Sequence, residues 1–147
     1  MSGGIPTITN CTIVANGKSG VSSSKPAISN SIIYYNALNS DLVQIESNST
    51  AAITYTDVQG GWPGQGNIDA DPLFADPDNS DYHLKSQAGR WDLTSRDWLA
   101  DDVTSPCIDA GAPGTLIHLE PLPNGGIINM GAYGGTFRAS KSPGNAE

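Results

Sequence analysis

Pro6-Thr7-Ile8-Thr9-Asn10-Cys11-Thr12-Ile13-Val14-Ala15-Asn16 is followed twenty residues on by Pro26-Ala27-Ile28-Ser29-Asn30-Ser31-Ile32-Ile33-Tyr34-Tyr35-Asn36. Pro, Ile, Asn, Ile and Asn recur at the same places in both. A looser third copy, Ala51-Ala52-Ile53-Thr54-Tyr55-Thr56-Asp57-Val58-Gln59-Gly60, aligns with the second at an offset of 25 and pairs Ile28 with Ile53, Ser31 with Thr56 and Ile33 with Val58. Each copy is a short β-rich stretch with a polar break, and none carries a helical apolar stripe. Ile8, Cys11 and Ile13 are the inward candidates, so the two-residue alternation slips at Asn10. A bend there restores the phase, because Asn tolerates left-handed backbone geometry. The same reasoning expects the Asn10 amide to bond to the Asn30 amide one repeat above.

Self-similarity at 20 to 25 residues, with insertions between the strands, is the pattern of stacked parallel strands. An antiparallel sandwich is the alternative, but its turns come every 8–12 residues. The reading is therefore an all-β, right-handed parallel β-helix of about three coils, closed by an irregular C-terminal cap. Its right hand follows from the usual crossover preference. Residues 1–60 are assigned to the coils and 61–147 to a C-terminal coil and capping region, as one continuous domain. The inserts at 17–25 and 37–50, rich in Ser, Asn and Gly, read as loops.

With 147 residues the chain has the length of one ordinary domain. Gly 17 and Pro 10, against aromatics at 7%, call for frequent turns and few long helices. Seven Lys+Arg against fifteen Asp+Glu give a net charge of −8, which argues against nucleic acid and anionic membrane surfaces as partners. The charge is concentrated: between Asp57 and Asp109 eleven acidic residues face only Lys85, Arg90 and Arg96, which accounts for the whole −8. No stretch has the length of a bilayer-spanning segment, and Met1-Ser2-Gly3-Gly4 lacks the basic and apolar parts of a signal peptide. Cys11 and Cys107 lie far apart and form no metal or disulfide pattern, so both read as small buried thiols.

From Gly60 the pattern changes. Gly60-Gly61-Trp62-Pro63-Gly64-Gln65-Gly66-Asn67-Ile68-Asp69-Ala70-Asp71-Pro72-Leu73-Phe74 is followed by Asp81-Tyr82-His83-Leu84. Ser105-Pro106-Cys107-Ile108-Asp109-Ala110-Gly111 and Asn129-Met130-Gly131-Ala132-Tyr133-Gly134-Gly135 come next. In this order the segments resemble the C-terminal end of bacterial right-handed parallel β-helix repeat proteins, of pectate-lyase-like fold. The resemblance implies a large extracellular or cell-surface parent protein associated with polysaccharide. Relative to such a parent this sequence starts at a coil, as a fragment or a stand-alone reading frame would. Its first coil would then present an unpaired edge and an open apolar end, and homo-oligomers through that end are expected.

Arg90-Trp91-Asp92 and Asp97-Trp98-Leu99 read as a hairpin whose two Trp close the core end. Trp62, Tyr35 and Tyr55 are candidates for stacking on sugar rings. Asp69, Asp71, Asp76, Asp78 and Asp81 supply the oxygen chemistry calcium prefers, without the spacing of an EF-hand, and turn formation is the competing explanation. Asp101-Asp102 is the only adjacent acidic pair, and the Asn-Thr-Asp, Gly-x-Asp-Asp and Gly-His-Gly stretches of β-helix polygalacturonases are missing. His83 and His118 stand alone between apolar neighbours and read as structural. Expected function is thus a non-catalytic end-capping and assembly module with no required cofactor, calcium being the one candidate. A carbohydrate-binding module and a remnant of a polysaccharide lyase or hydrolase are the alternatives.

Overall fold

A computed structural model describes residues 4–22, 25–37, 43–46 and 52–144. The described chain is all-β, without α-helix. Each copy of the repeat contributes two strands: β1 (Thr7–Thr9) and β2 (Thr12–Val14), β3 (Ala27–Ser29) and β4 (Ile32–Tyr34), β5 (Ala52–Thr54) and β6 (Asp57–Val58). They assemble into two parallel sheets of order β1-β3-β5 and β2-β4-β6. Register follows the sequence alignment: Ile8 lies beside Ile28 and Ile28 beside Ile53, while Ile13 lies beside Ile33 and Ile33 beside Val58.

Two left-handed residues, five apart, bend every repeat. Asn10, Asn30 and Tyr55 hold φ near +50°, and Ala15, Tyr35 and Gly60 hold the second bend at φ 56°, 53° and 85°. A non-glycine residue pays about 1–2 kcal/mol for this geometry, so the surrounding contacts must impose it. Part of that support repeats too. Cys11 Sγ donates to Thr9 O, Ser31 Oγ to Ser29 O and Thr56 Oγ1 to Thr54 O, at 3.3, 2.8 and 2.9 Å.

Between the sheets the β-branched side chains form a first apolar cluster: Ile28, Ile33, Ile53 and Val58, flanked by Ile8 and Ile13. Val21 and Ile45, joined by an isolated parallel bridge, close its third side. Burial is graded along the stack. Ile28 and Ile53 are 1% and 2% exposed, whereas Ile8 and Ile13 at the β1–β2 level remain half-buried.

A second apolar cluster covers the other face of β2-β4-β6, joining Ile32 and Tyr34 to Phe74, Leu84, Cys107, Ile108 and Met130. All of β4 is therefore buried, because Ile33 points to one cluster while Ile32 and Tyr34 point to the other. The covering layer consists of an antiparallel pair, β7 (Phe74–Asp76) and β8 (Asp81–Leu84), joined through a 3-10 turn at Pro77–Asn79, with irregular chain from Ser105 onward. A backbone hydrogen bond docks it, Gly131 N donating to Asn30 O, and Met130 N donates to Cys107 O within the layer. Gly134 is required here, since a Cβ would collide with Asn129 O and crowd Asn10 Nδ2.

Three expectations need correction. The C-terminal region lies along the flank of the β2-β4-β6 sheet; the β5–β6 end is covered by residues 62–68. There Tyr55 N donates to Gln65 O, Ile68 N to Thr56 O and Val58 N to Ile68 O, while Trp62 packs on the first cluster. Trp91 and Trp98 do form the anticipated hairpin, β9 (Arg90–Asp92) with β10 (Asp97–Leu99), and meet edge to face at 5.6 Å. Both stay half-buried outside the two clusters, under Arg138 and Lys141, so they do not close the core end.

The third correction concerns asparagine. Asn10 and Asn30 turn toward the covering layer: Asn10 Nδ2 donates to Asn129 O at 3.3 Å, and Asn30 Oδ1 accepts from Ala112 N at 2.7 Å. The amide ladder sits at the other matched pair, where Asn16 Nδ2 donates to Asn36 Oδ1 at 2.8 Å.

Candidate functional site

Two surface features and one buried pair carry the chemistry worth weighing. The first is a groove of about 280 Å3 between the second bend and the β7–β8 turn, lined by Val14, Ala15, Tyr35, Pro77, Asp78 and Tyr82. Left-handed geometry at Ala15 and Tyr35 turns the chain out at this edge, and Phe74 supports both tyrosines, with ring centroids at 6.4 Å from Tyr35 and 5.3 Å from Tyr82. Tyr35 donates its hydroxyl to Asp71 Oδ1 at 3.0 Å. Burial and that acceptor push the Tyr35 hydroxyl up to about 12, so it is a fixed neutral donor at physiological pH. The groove offers two half-buried aromatic rings and one exposed carboxylate.

A charge network around Arg90 is the second feature. Arg90 is buried and donates through Nε to Asp101 at 3.1 Å and through Nη1 to Asp92 at 3.3 Å, with Asp81 at 3.9 Å. Asp81 in turn meets His83 Nδ1 at 2.6 Å, and the fully buried His83 ring stacks on Tyr133 at 3.7 Å. Asp92 is held below the ordinary carboxylate range, chiefly by the Ser95 N–H and hydroxyl and then by Arg90. A cleft of about 320 Å3 opens beside the network, lined among others by Asp76, Asp81, Arg90 and Asp92. Through its guanidinium Arg90 ties β8, β9 and Asp101 together. His83 Nε2 has no hydrogen-bond partner among the described residues, so no nucleophile is paired with it there.

The buried pair is Asp57 with Cys107. Asp57 stands on β6 where the second repeat has Ile32, fully buried, its Oδ1 accepting from Ala70 N at 3.1 Å and its Oδ2 from Cys107 Sγ at 3.1 Å. Burial pushes the Asp57 carboxyl up to about 6, against the lowering effect of those two donors. It also pushes the Cys107 thiol up, far from thiolate chemistry at neutral pH. Sequence reasoning missed Asp57. The available signal was an acid occupying an apolar position of the repeat.

The three aromatic candidates do not share one platform. Trp62 packs on the cluster between the sheets, while Tyr35 and Tyr55 pack on the opposite cluster, Tyr55 beneath Gly66, where a Cβ would strike its ring. Of the acidic candidates, Asp76 and Asp81 face each other across β7–β8, while Asp71 accepts from Leu73 N and from Tyr35; Asp76 also accepts from Asn79, and Asp81 from His83. No group of three or more His, Cys, Asp or Glu placed to hold a metal ion occurs among the described residues, and no described helix is long and apolar enough to cross a membrane.

These features define an all-β chain of in-register parallel repeats, covered on one flank by an irregular layer. A family model described as disaggregatase related matches residues 4–111, well over half of the 147, and the chain belongs to that family. This is related to, but different from, the pectate-lyase-like family that the motifs resemble. The match takes in the repeats, the Asp-Pro-Leu-Phe segment and Ser105–Gly111, and ends before the Met-Gly-Ala-Tyr-Gly-Gly segment. No curated protein and no solved structure matches the chain.

Proposed function

We propose that this chain is a non-catalytic end module of a right-handed parallel β-helix, serving assembly at an extracellular or cell surface. One observation carries the reading: the two ends of the parallel stack differ. The β5–β6 end is sealed by Trp62 and by the hydrogen bonds of residues 65–68, while the β1–β2 end leaves Ile8 and Ile13 half-exposed and Ile5 73% exposed. A stack finished on one side and open on the other is what a terminal module requires, since a solenoid must cover its last apolar level with something atypical. Hydrogen exchange tests this directly, because a sealed end protects its amides and an open end does not.

The groove at Tyr35 and Tyr82 favours a second reading, carbohydrate binding. Aromatic faces suit the apolar side of a sugar ring, and the Asp78 carboxylate is placed to accept hydroxyls. Under this reading the platform is Tyr35 with Tyr82 and Tyr55 is structural, while Trp62 borders a separate cavity of about 730 Å3 beside Val58, Gln59 and Pro63. The family description, disaggregatase related, names no ligand and favours neither reading. Tyr82→Ala is expected to weaken retardation by soluble polysaccharides in affinity electrophoresis about tenfold, roughly the effect of losing one stacking ring. Equal retardation of both proteins, or none of the wild type across neutral and acidic polysaccharides, removes this reading.

A further inference from the structure

We infer that the third side of the stack holds a binding site for an extended peptide, which adds a strand beside residues 44–46. Each of the first two repeats sends one residue to this side, Val21 and Ile45, and the two form a parallel bridge. Val21 N donates to Gln44 O and Glu46 N to Val21 O, so the neighbours of Ile45 carry both bonds. In a parallel ladder the N–H and C=O of Ile45 itself then point the opposite way, toward the level of the third repeat. There the chain supplies no strand. Gly61 N donates to Val58 O in a reversal, and the chain passes over β5 instead, where Tyr55 N donates to Gln65 O. Ile45 N and O have no hydrogen-bond partner among the described residues, and Ile45 is only 3% exposed. Buried backbone groups are almost always paired, and an added strand satisfies the donor and the acceptor of one residue together.

The room for such a strand is the cavity of about 730 Å3 walled by Ile45, Val58, Gln59, Trp62 and Pro63. Ile45 and Val58 belong to the apolar cluster between the sheets, and Trp62 packs against it. One β-branched residue of the peptide continues the column of Val21 and Ile45, and its two neighbours, on the opposite face, take polar side chains. Charge sets the rest. No residue lining the cavity is charged, so the inserted part is uncharged. Glu46 follows Ile45 and the whole chain carries −8, so the flanks of the peptide are basic. A second copy of this chain brings a further −8 and is the poorer occupant. The site lies on a side of the stack, and so stands apart from the end-module reading.

Titration of the 147-residue chain with the acetylated peptide amide Lys-Ser-Thr-Val-Thr-Ser-Lys, followed by heteronuclear NMR, tests the inference. Saturable shifts at the Ile45 amide and the Trp62 indole N–H are expected, and the Ile45 amide should exchange about tenfold more slowly in the complex. N-methylating the Thr after Val removes the proton that Ile45 O accepts, and should weaken binding about tenfold, the effect of one hydrogen bond. Val43→Lys, at a side chain 55% exposed on the cavity wall, should weaken binding severalfold with unchanged far-ultraviolet circular dichroism. Absence of binding up to several millimolar peptide overturns the site, and equal binding of the methylated peptide overturns strand addition. Shifts that leave Ile45 and Trp62 untouched overturn the location. A wild-type dimer in light scattering that Val43→Lys disperses makes a second copy the occupant and overturns the basic peptide.

Discussion

Replacing Asn36 by Leu should lower the unfolding free energy by about 3 kcal/mol, the sum of two or three buried groups losing a partner at about 1–3 kcal/mol each, less what water recovers at the Asn16 side. Asn36 is 5% exposed, and its side chain uses all its capacity. Oδ1 accepts from Asn16 N at 3.2 Å and Asn16 Nδ2 at 2.8 Å, while Nδ2 donates to Ile13 O and to Gln44 Oε1, both at 2.8 Å. Gln44 returns the bond to Asn36 O at 3.0 Å. One amide thus joins the first repeat, the second repeat and the segment carrying Ile45. Leu has similar volume and satisfies none of these groups. Asn16→Ala, on an exposed residue, should cost about 1 kcal/mol or less. Urea unfolding of both variants measures the difference, and a loss below about 0.5 kcal/mol for Asn36→Leu would show that the ladder does not hold the repeats together.

Asp57→Asn should remove a pH dependence. In the unfolded chain the carboxyl titrates near 3.8, and in the fold at about 6. Between these values the folded state keeps a proton that the unfolded state has released, so stability falls as pH rises. The favourable contribution is complete below 3.8 and lost once the pH passes about 6. Burial, Asp69 and Asp71 oppose its ionisation and outweigh the Cys107 and Ala70 N donors, which favour it, and no cation is among the groups acting on it. Asn keeps the acceptor for Ala70 and removes the charge. At pH 8 the variant should therefore be more stable than wild type by about 1–2 kcal/mol, a figure discounted from the full two-unit shift for residual solvent screening. At pH 4 the two should be nearly equal. Glu120, also pushed up by burial, contributes with the same sign in both chains and cancels in the comparison. Urea midpoints that run parallel from pH 4 to pH 8 would contradict a buried ionising group at this position.

The parts of the fold legible in the sequence are those that repeat. Inward β-branched residues recur because each must lie on its counterpart, so the alignment of Ile8, Ile28 and Ile53 is also their register. The Trp91–Trp98 hairpin was legible because Leu93-Thr94-Ser95-Arg96 separates two short matching runs. What did not repeat was harder to place. Both matched asparagine pairs satisfy the sequence argument for a ladder, and only the position of the covering layer decides that Asn10 and Asn30 face it while Asn16 and Asn36 face each other. The run Ser31-Ile32-Ile33-Tyr34 carried a signal for a strand covered on both faces, yet the repeat argument used only its inward residue.

The candidate site was less legible than the fold. Tyr35, Tyr55 and Trp62 look equivalent in a linear reading, but left-handed bends at Tyr35 and Tyr55 leave both rings on one cluster, and the chain reversal at Gly60–Gly61 carries Trp62 to the other. Tyr82 reaches the groove from a strand with no counterpart in the repeats, so no periodicity points to it. The acidic run is legible only as local structure: Asp71 accepts from Leu73 N, Asp76 from Asn79 and Asp81 from His83, as short acidic side chains do in turns.

The central claim, a parallel stack sealed at one end and open at the other, is tested most directly by hydrogen exchange resolved to single amides at low micromolar concentration. Amides of Tyr55, Asp57, Val58 and Gln59 bond to Gln65 O, Ser31 O, Ile68 O and Ile33 O. The account predicts that they exchange as slowly as those of Ile32–Tyr34, with residues 7–14 exchanging many-fold faster. Exchange at residues 55–59 as fast as at 7–14 would contradict it, because the last level of the stack would then be as frayed as the first.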